Sequence, residues 1–299
     1  MTTAAPLGLR AAGMLAVVSL LGLLAFIWPL LVTTDAPLEP LQAPLVLALL
    51  LPVLILVAVS ELSTHSLDVK GLALLGVLAA VGAILRPLGA GTAGMEPIFF
   101  LLILGGRVFG PGFGFLQGAT TLFASALITA GVGPWLPYQM LAAGFVGLVA
   151  GLLPRAAGRI EIALLAGWGW VAAFGYGWLM DLAFWPFSLG SATQLSFDPA
   201  LGPWINLQRF LAFNLATSMA WNLGRALLST VLIVVLGPGL LHVLRRAARR
   251  AVFSSAGSSA PRRLVTAEPI PRRFPSGAPE PTDADQREDT THGVHPSRA

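Results

Sequence analysis

The sequence predicts an all-α polytopic membrane protein: a compact six-helix bundle preceded by two extra transmembrane helices, about eight spans in total, with both termini cytoplasmic. Three observations carry that expectation. The chain is 56% hydrophobic and only 11% charged, with a mean hydropathy of +0.78, whereas a soluble domain is roughly 25% charged. From Gly110 to Pro154 there is no charged side chain, and that stretch divides into two apolar runs of about 20 residues, each enough to cross a ~30 Å hydrocarbon core. Basic residues, finally, recur on alternate loops.

The spans follow from apolar windows at about 11–32, 43–60, 70–86, 96–106, 111–131, 136–153, 161–186 and 209–240. Met14 to Val32 is longer than the 7–15 residues of a signal-peptide core and reads as a retained anchor helix. The second span is Leu/Val-rich, and the polar run Glu61 to Asp68 separates it from six closely spaced spans. The window 96–106 is short, because Pro97 to Leu104 rises only ~12 Å as a helix. It borrows length from Gly89–Gly94, tilts, or lies as a short helix buried among others. The 111–153 pair is a hairpin joined by Gly133-Pro134-Trp135-Leu136-Pro137, a Pro/Gly turn with an interfacial aromatic. Three segments result: a two-helix membrane extension (1–65), a six-helix membrane core (66–245) and a cytoplasmic tail (246–299) too polar and Pro-rich to order itself.

With the N-terminus inside, Arg10, Lys70, Arg107, Arg155, Arg159 and the Arg245/Arg246/Arg249/Arg250 cluster all face the cytoplasm, as the positive-inside rule requires. Arg86 and Arg209 fall outside, near span ends where a long side chain can snorkel. The net charge of +4 is concentrated beyond residue 244 and implies no nucleic-acid partner. The chain has no cysteine, which excludes disulfides, thiolate metal sites and Cys nucleophiles.

Small residues recur at four-residue spacing in Gly110/Gly114/Gly118, Ala143/Gly147/Gly151, Gly169/Ala173/Gly177 and on the 70–86 helix. Such stripes let helices approach within lipid, where packing drives association. On the 70–86 helix, Ala73, Gly76, Ala79, Ala80 and Ala83 cover enough surface to form an additional docking face for another membrane protein.

Catalytic chemistry is thin. No carboxylates pair at helical spacing on one membrane face, and the histidines sit at span edges or in the tail, so no metal site or cofactor is expected. Gly110-Pro111-Gly112-Phe113-Gly114 lacks the Lys-Ser/Thr that closes a phosphate loop. Two outer loops, however, repeat one text. In Gly133-Pro134-Trp135…Tyr138-Gln139 and Gly202-Pro203-Trp204…Gln208, a Gln follows an interfacial Trp by one helical turn. An aromatic face and an amide that both donates and accepts suit a neutral heterocyclic ligand, although interfacial anchoring alone explains either Trp. Trp178 and Asp181 lie near the outer end of the seventh span. Asp181 and Arg225 are the charges most committed to membrane depth; they either pair with each other or line a cavity that Asn222 shares.

The run Glu96 to Arg107, Phe113-Gly-Phe-Leu-Gln-Gly118, Gly133-Pro-Trp-Leu-Pro-Tyr-Gln-Met140 and Ala143 to Gly151 together resemble the substrate-binding (S) component of energy-coupling factor (ECF) transporters. The likeness covers about residues 66–245 and is nearest the actinobacterial branch related to cobalamin- and queuosine-type components. It implies a vitamin-capturing subunit of the bacterial plasma membrane with no engine of its own. Its expected partners are an ECF T-type transmembrane scaffold subunit, docked on the small-residue face of the 70–86 helix, and two cytoplasmic ATPases. A membrane enzyme acting on lipid or isoprenoid substrates and a ligand-free scaffold protein are the competing readings.

Overall fold

The computed structural model describes residues 9–31, 52, 55–56, 69–89, 94–189 and 193–258, with side chains to residue 249. The second predicted span, apart from Pro52, Ile55 and Leu56, lies outside the described residues, as does the tail beyond 258. Every regular element among the described residues is helical: α1 (Leu9–Phe26), α2 (Trp28–Leu31), α3 (Val69–Leu88), α4 (Phe99–Phe109), α5 (Pro111–Ile128), α6 (Leu136–Leu152), α7 (Gly158–Ser188), a 3₁₀ turn (Pro199–Leu201), α8 (Gly202–Thr217) and α9 (Met219–Ser258). Four of them, α1, α3, α7 and the Met219–Arg249 part of α9, are long and apolar enough to cross a membrane.

Glycine spacing dictates how closely the centre packs. Gly110 (φ 99°) turns α4 directly into α5, a conformation open to glycine at no steric cost. Across the α5–α6 contact, a Cβ on Gly114 would overlap the Gly147 carbonyl, and one on Gly118 would overlap the Ala143 carbonyl. Gly106 of α4 meets the same Gly147 carbonyl, and Gly151 meets Gly110 and Pro111. The two predicted stripes therefore face each other, backbone against backbone, as membrane helices with small-residue faces do. On α7, Gly177 accommodates the Asn222 side chain of α9.

The short window resolves as one of its three alternatives. Helix α4 has 11 residues, nine of them buried, and it packs among α5, α6, α7 and α9. Its two ends are marked by ion pairs. Glu96, just before α4, contacts Arg225, and Arg107 in its last turn shares Glu161 with Arg245. Arg225 and Arg245 lie about 30 Å apart along α9 at 1.5 Å per residue, close to the thickness of a hydrocarbon core. The inner end carries exposed Arg155, Arg159, Arg246 and Arg249, while Glu161, the acid there, is buried.

One predicted span is corrected. The window 209–240 is two helices that meet at Ser218, not one crossing. Helix α7, at 31 residues, is about 46 Å long and outreaches the bilayer core. Around its outer third, Leu182 and Trp185 pack with Phe210 and Phe213 of α8, with Leu30 of α2 and with Ile27 just before it. Trp28 donates Nε1–H to the Ala183 carbonyl and Trp185 to that of Leu195. This second apolar cluster ties α8 to α7 and α2. Helix α1 is no isolated anchor: it buries Leu15, Val18, Gly22 and Phe26, with Gly22 against Leu141 and Phe145 of α6.

Gly147→Val should cost at least about 1–3 kcal/mol through overpacking, lowering the thermal midpoint of the purified protein in detergent; an unchanged midpoint contradicts the backbone contact. Because the natural chain lacks cysteine, topology is directly testable. Val132→Cys should react with an impermeant maleimide on intact cells, and Ala157→Cys only after permeabilisation.

Candidate functional site

The outer end of the bundle collects polar side chains from six helices and the loop before α4. Arg225 is 4% exposed, and its guanidinium lies over Phe99 and Tyr176, 5.3 and 5.1 Å from the ring centroids. It donates to the Ala173 carbonyl, to Asn222 Oδ1 at 3.0 Å and to Glu96 Oε1 at 3.2 Å. Two local devices bring Glu96 there. Gly94, at φ 77°, sits against the Trp221 carbonyl where no side chain fits, and Glu96 N–H donates to the Gly94 carbonyl.

On the other side, Arg86 in the last turn of α3 reaches Gln139 Oε1 of α6 at 3.2 Å and Ser125 Oγ of α5 at 3.5 Å. Arg86, Glu96 and Arg225 all lie within electrostatic reach of the Tyr176 hydroxyl, so these groups form one neighbourhood. Asp181, farther out on α7, accepts from Asn214 Nδ2 of α8. Several atoms here are buried without a hydrogen-bond partner, among them Asn222 Nδ2, Arg225 Nε and Asn214 Oδ1. Unmatched polar atoms cost ~1–3 kcal/mol each, which a ligand's own polar groups can offset.

The sequence-predicted residues divide. Gln139, Asn222 and Arg225 belong to this neighbourhood and Asp181 borders it. The open question of an Asp181–Arg225 pair is answered by Glu96, which forms the ion pair with Arg225. Arg86 does not snorkel outward as expected; it turns into the bundle. Tyr138, about 100° round α6 from Gln139, lies edge-on to Phe26 and Phe184, with its hydroxyl buried and unpartnered. Trp135 folds over its own turn, donating to the Gly131 carbonyl with its ring against Gly133. Trp178, Trp204 and Gln208 are on exposed faces, so the two Trp-x-x-x-Gln texts have different surroundings.

The small-residue face of α3 divides too. Ala73, Gly76 and Ala80 are exposed with Val77 and Ile84, whereas Ala79 and Ala83 are buried inside the chain. Docking residues read from the sequence thus reduce to the first three. The missed residues are Arg86 and Glu96, placed at loop edges by the sequence, and Gln117. Gln117 is fully buried, bonded to the Leu101 carbonyl and seated against Gly105; its one available signal is a lone amide in an apolar run.

A protein-family model described as "ECF transporter, substrate-specific component" matches residues 70–237. The chain belongs to that family. This substrate-specific component is a multi-pass protein of the bacterial plasma membrane. The match begins in the first turn of α3 and ends one residue before Pro238, leaving α1 and α2 outside it. No curated protein and no solved structure matches significantly.

Arg225→Ala should destabilise the ECF component by roughly 3 kcal/mol, since it leaves Glu96 without its counter-charge near buried surface. Adding Glu96→Gln should recover part of that loss. Equal unfolding midpoints for wild type and Arg225→Ala would contradict the pair's role.

Proposed function

We propose that this ECF component captures a vitamin or related micronutrient, cobalamin-like or another heterocycle, from outside the cell. It then hands the ligand inward with a T-type scaffold and two cytoplasmic ATPases, which supply the ATP hydrolysis that this chain is not expected to perform. The reading is supported chiefly by the outer polar neighbourhood, where buried donors on Asn222 and Arg225 lack partners beside the aromatic faces of Tyr176 and Phe99. Gln139, Asn222, Arg225 and Asp181 are the proposed ligand contacts. Trp178, Trp204 and Gln208 form its outer rim, and Trp135 and Tyr138 support it by shaping the start of α6.

The scaffold docks, in this proposal, on the exposed stripe of Ala73, Gly76 and Ala80. No Cβ contact lies within 4 Å of Gly76, so a partner helix can approach its backbone closely. The assignment to the cobalamin/queuosine branch rests on the Gly133 to Met140 motif.

Gln139→Ala and Asn222→Ala should each weaken ligand binding by ~1–3 kcal/mol, as an orphaned polar partner costs; unchanged uptake affinity in both would remove the site. Ala73→Leu with Ala80→Leu should retain bound ligand after purification yet abolish uptake by the assembled transporter. Normal uptake in that double variant would remove the docking face.

A further inference from the structure

The two arginines of the outer site are unequally compensated. Arg225 has Glu96 in contact, and Asp181, itself held by Asn214, lies within its electrostatic reach. Arg86 is held by the neutral oxygens of Gln139 and Ser125, both at long distances of 3.2 and 3.5 Å. Among the described residues, the ion pairs are Arg107–Glu161, Arg225–Glu96 and Arg245–Glu161, and none includes Arg86. A half-buried guanidinium turned inward, with five donors in a planar fork and two weak acceptors, is arranged to receive a bidentate oxyanion.

The second observation concerns the sign of the unmatched groups. Asn222, 1% exposed, has an unpartnered Nδ2–H, and Arg225, 4% exposed, an unpartnered Nε–H. Both are donors: Arg225 lies over the Tyr176 ring and Asn222 packs against the adjoining Gly177, and the Tyr176 hydroxyl is within electrostatic reach of Arg86 as well. Unpaired acceptors also occur: Asn214 Oδ1 lies on α8 beside Asp181, Gln117 Oε1 packs against Gly105, and the buried hydroxyls of Thr121 and Ser229, which accept as well as donate, have no partner. The Tyr176 neighbourhood therefore holds two unpartnered N–H donors and, in Arg86, one guanidinium that no carboxylate contacts.

We infer that the ligand of this site carries an acidic oxygen group, a carboxylate or phosphate, which Arg86 receives, while acceptor atoms of its body face Asn222 and Arg225. The inference rests on the transport reading above and narrows its substrate class to heterocycles bearing such a group. Gln139 then changes partner: its amide oxygen holds the guanidinium at 3.2 Å until the ligand's oxygens take that place and the freed amide turns to the ligand's body. Arg86 is a specificity-determining residue, because a neutral analogue would leave the fork on its weak partners.

The test uses the full chain purified in mild detergent from its native host, with the small molecules it retains released by heat and identified by mass spectrometry. Wild type should release an acid, and Arg86→Gln should retain it at least about tenfold less, with Arg86→Lys intermediate, since a point charge replaces the fork. The unfolding midpoint of the Arg86→Gln protein, measured alongside, separates lost recognition from lost folding. The probe for rebinding is the released fraction before and after diazomethane, which methylates carboxylates and phosphates. Methylation should weaken rebinding to wild type about tenfold and leave the already weak binding to Arg86→Gln nearly unchanged. A neutral molecule, or an acid held equally by wild type and a folded Arg86→Gln, overturns the inference and leaves the transport reading standing. Recovery of no small molecule, together with no uptake by the assembled transporter, overturns both.

Discussion

The contact on which the bundle depends is the approach of α5 to α6 through Gly114, Gly118, Ala143 and Gly147, with Gly106 of α4 meeting the same carbonyl. In lipid, burying one apolar side chain against another gains little, because hydrocarbon tails are equally apolar. Cohesion has to come from dispersion between closely packed atoms, and backbones approach most closely where side chains are absent. That contact turns Gln117, Thr121 and Ser125 inward, where all three are buried. It also fixes α6 so that Gln139 reaches the end of α3. The polar outer site therefore inherits its geometry from an apolar, glycine-lined seam.

Charge marks the two ends of this seam differently. At the inner end, Glu161 is shared by Arg107 and Arg245, and Arg107 also donates to the carbonyls of Leu153, Pro154 and Ala156. The buried acid is doubly answered and the local backbone is satisfied, which describes a structural clasp. At the outer end, Glu96 answers Arg225, Arg86 has neutral partners, and several donors have none. A fully matched cluster has no demand for a ligand, whereas an incompletely matched one does. The same residue types thus serve cohesion at one end and, in the function proposed above, recognition at the other.

The elements outside the family match modify this picture at its outer edge. Phe26 lies edge-on to Tyr138, and Trp28 packs on Phe187 and Phe197. Together with α8 they form an apolar collar around the overhanging third of α7. The first helix thereby contributes to the surroundings of α6 rather than acting as a separate tether. Helix α8 joins the same collar through Phe210 and Phe213, which pack on Trp185.

Much of the architecture was legible in the residues. The low charge density identified the solvent, the Pro/Gly turn from Gly133 to Pro137 identified the hairpin, and glycines at four-residue spacing identified the faces that meet. The Gly133 to Met140 motif carried the family, which the match over residues 70–237 bears out. These properties are local, so the chain states them directly. What the tertiary structure alone decided is which polar groups meet: Glu96 with Arg225 across 129 positions, Gln139 with Arg86 across 53, and Ala79 and Ala83 inward while Ala73 and Ala80 stay outside. The physical reason is rotational. A helix apolar on every side has no hydrophobic face to set its angle about its own axis, so that angle comes from packing against neighbours, and the site comes with it.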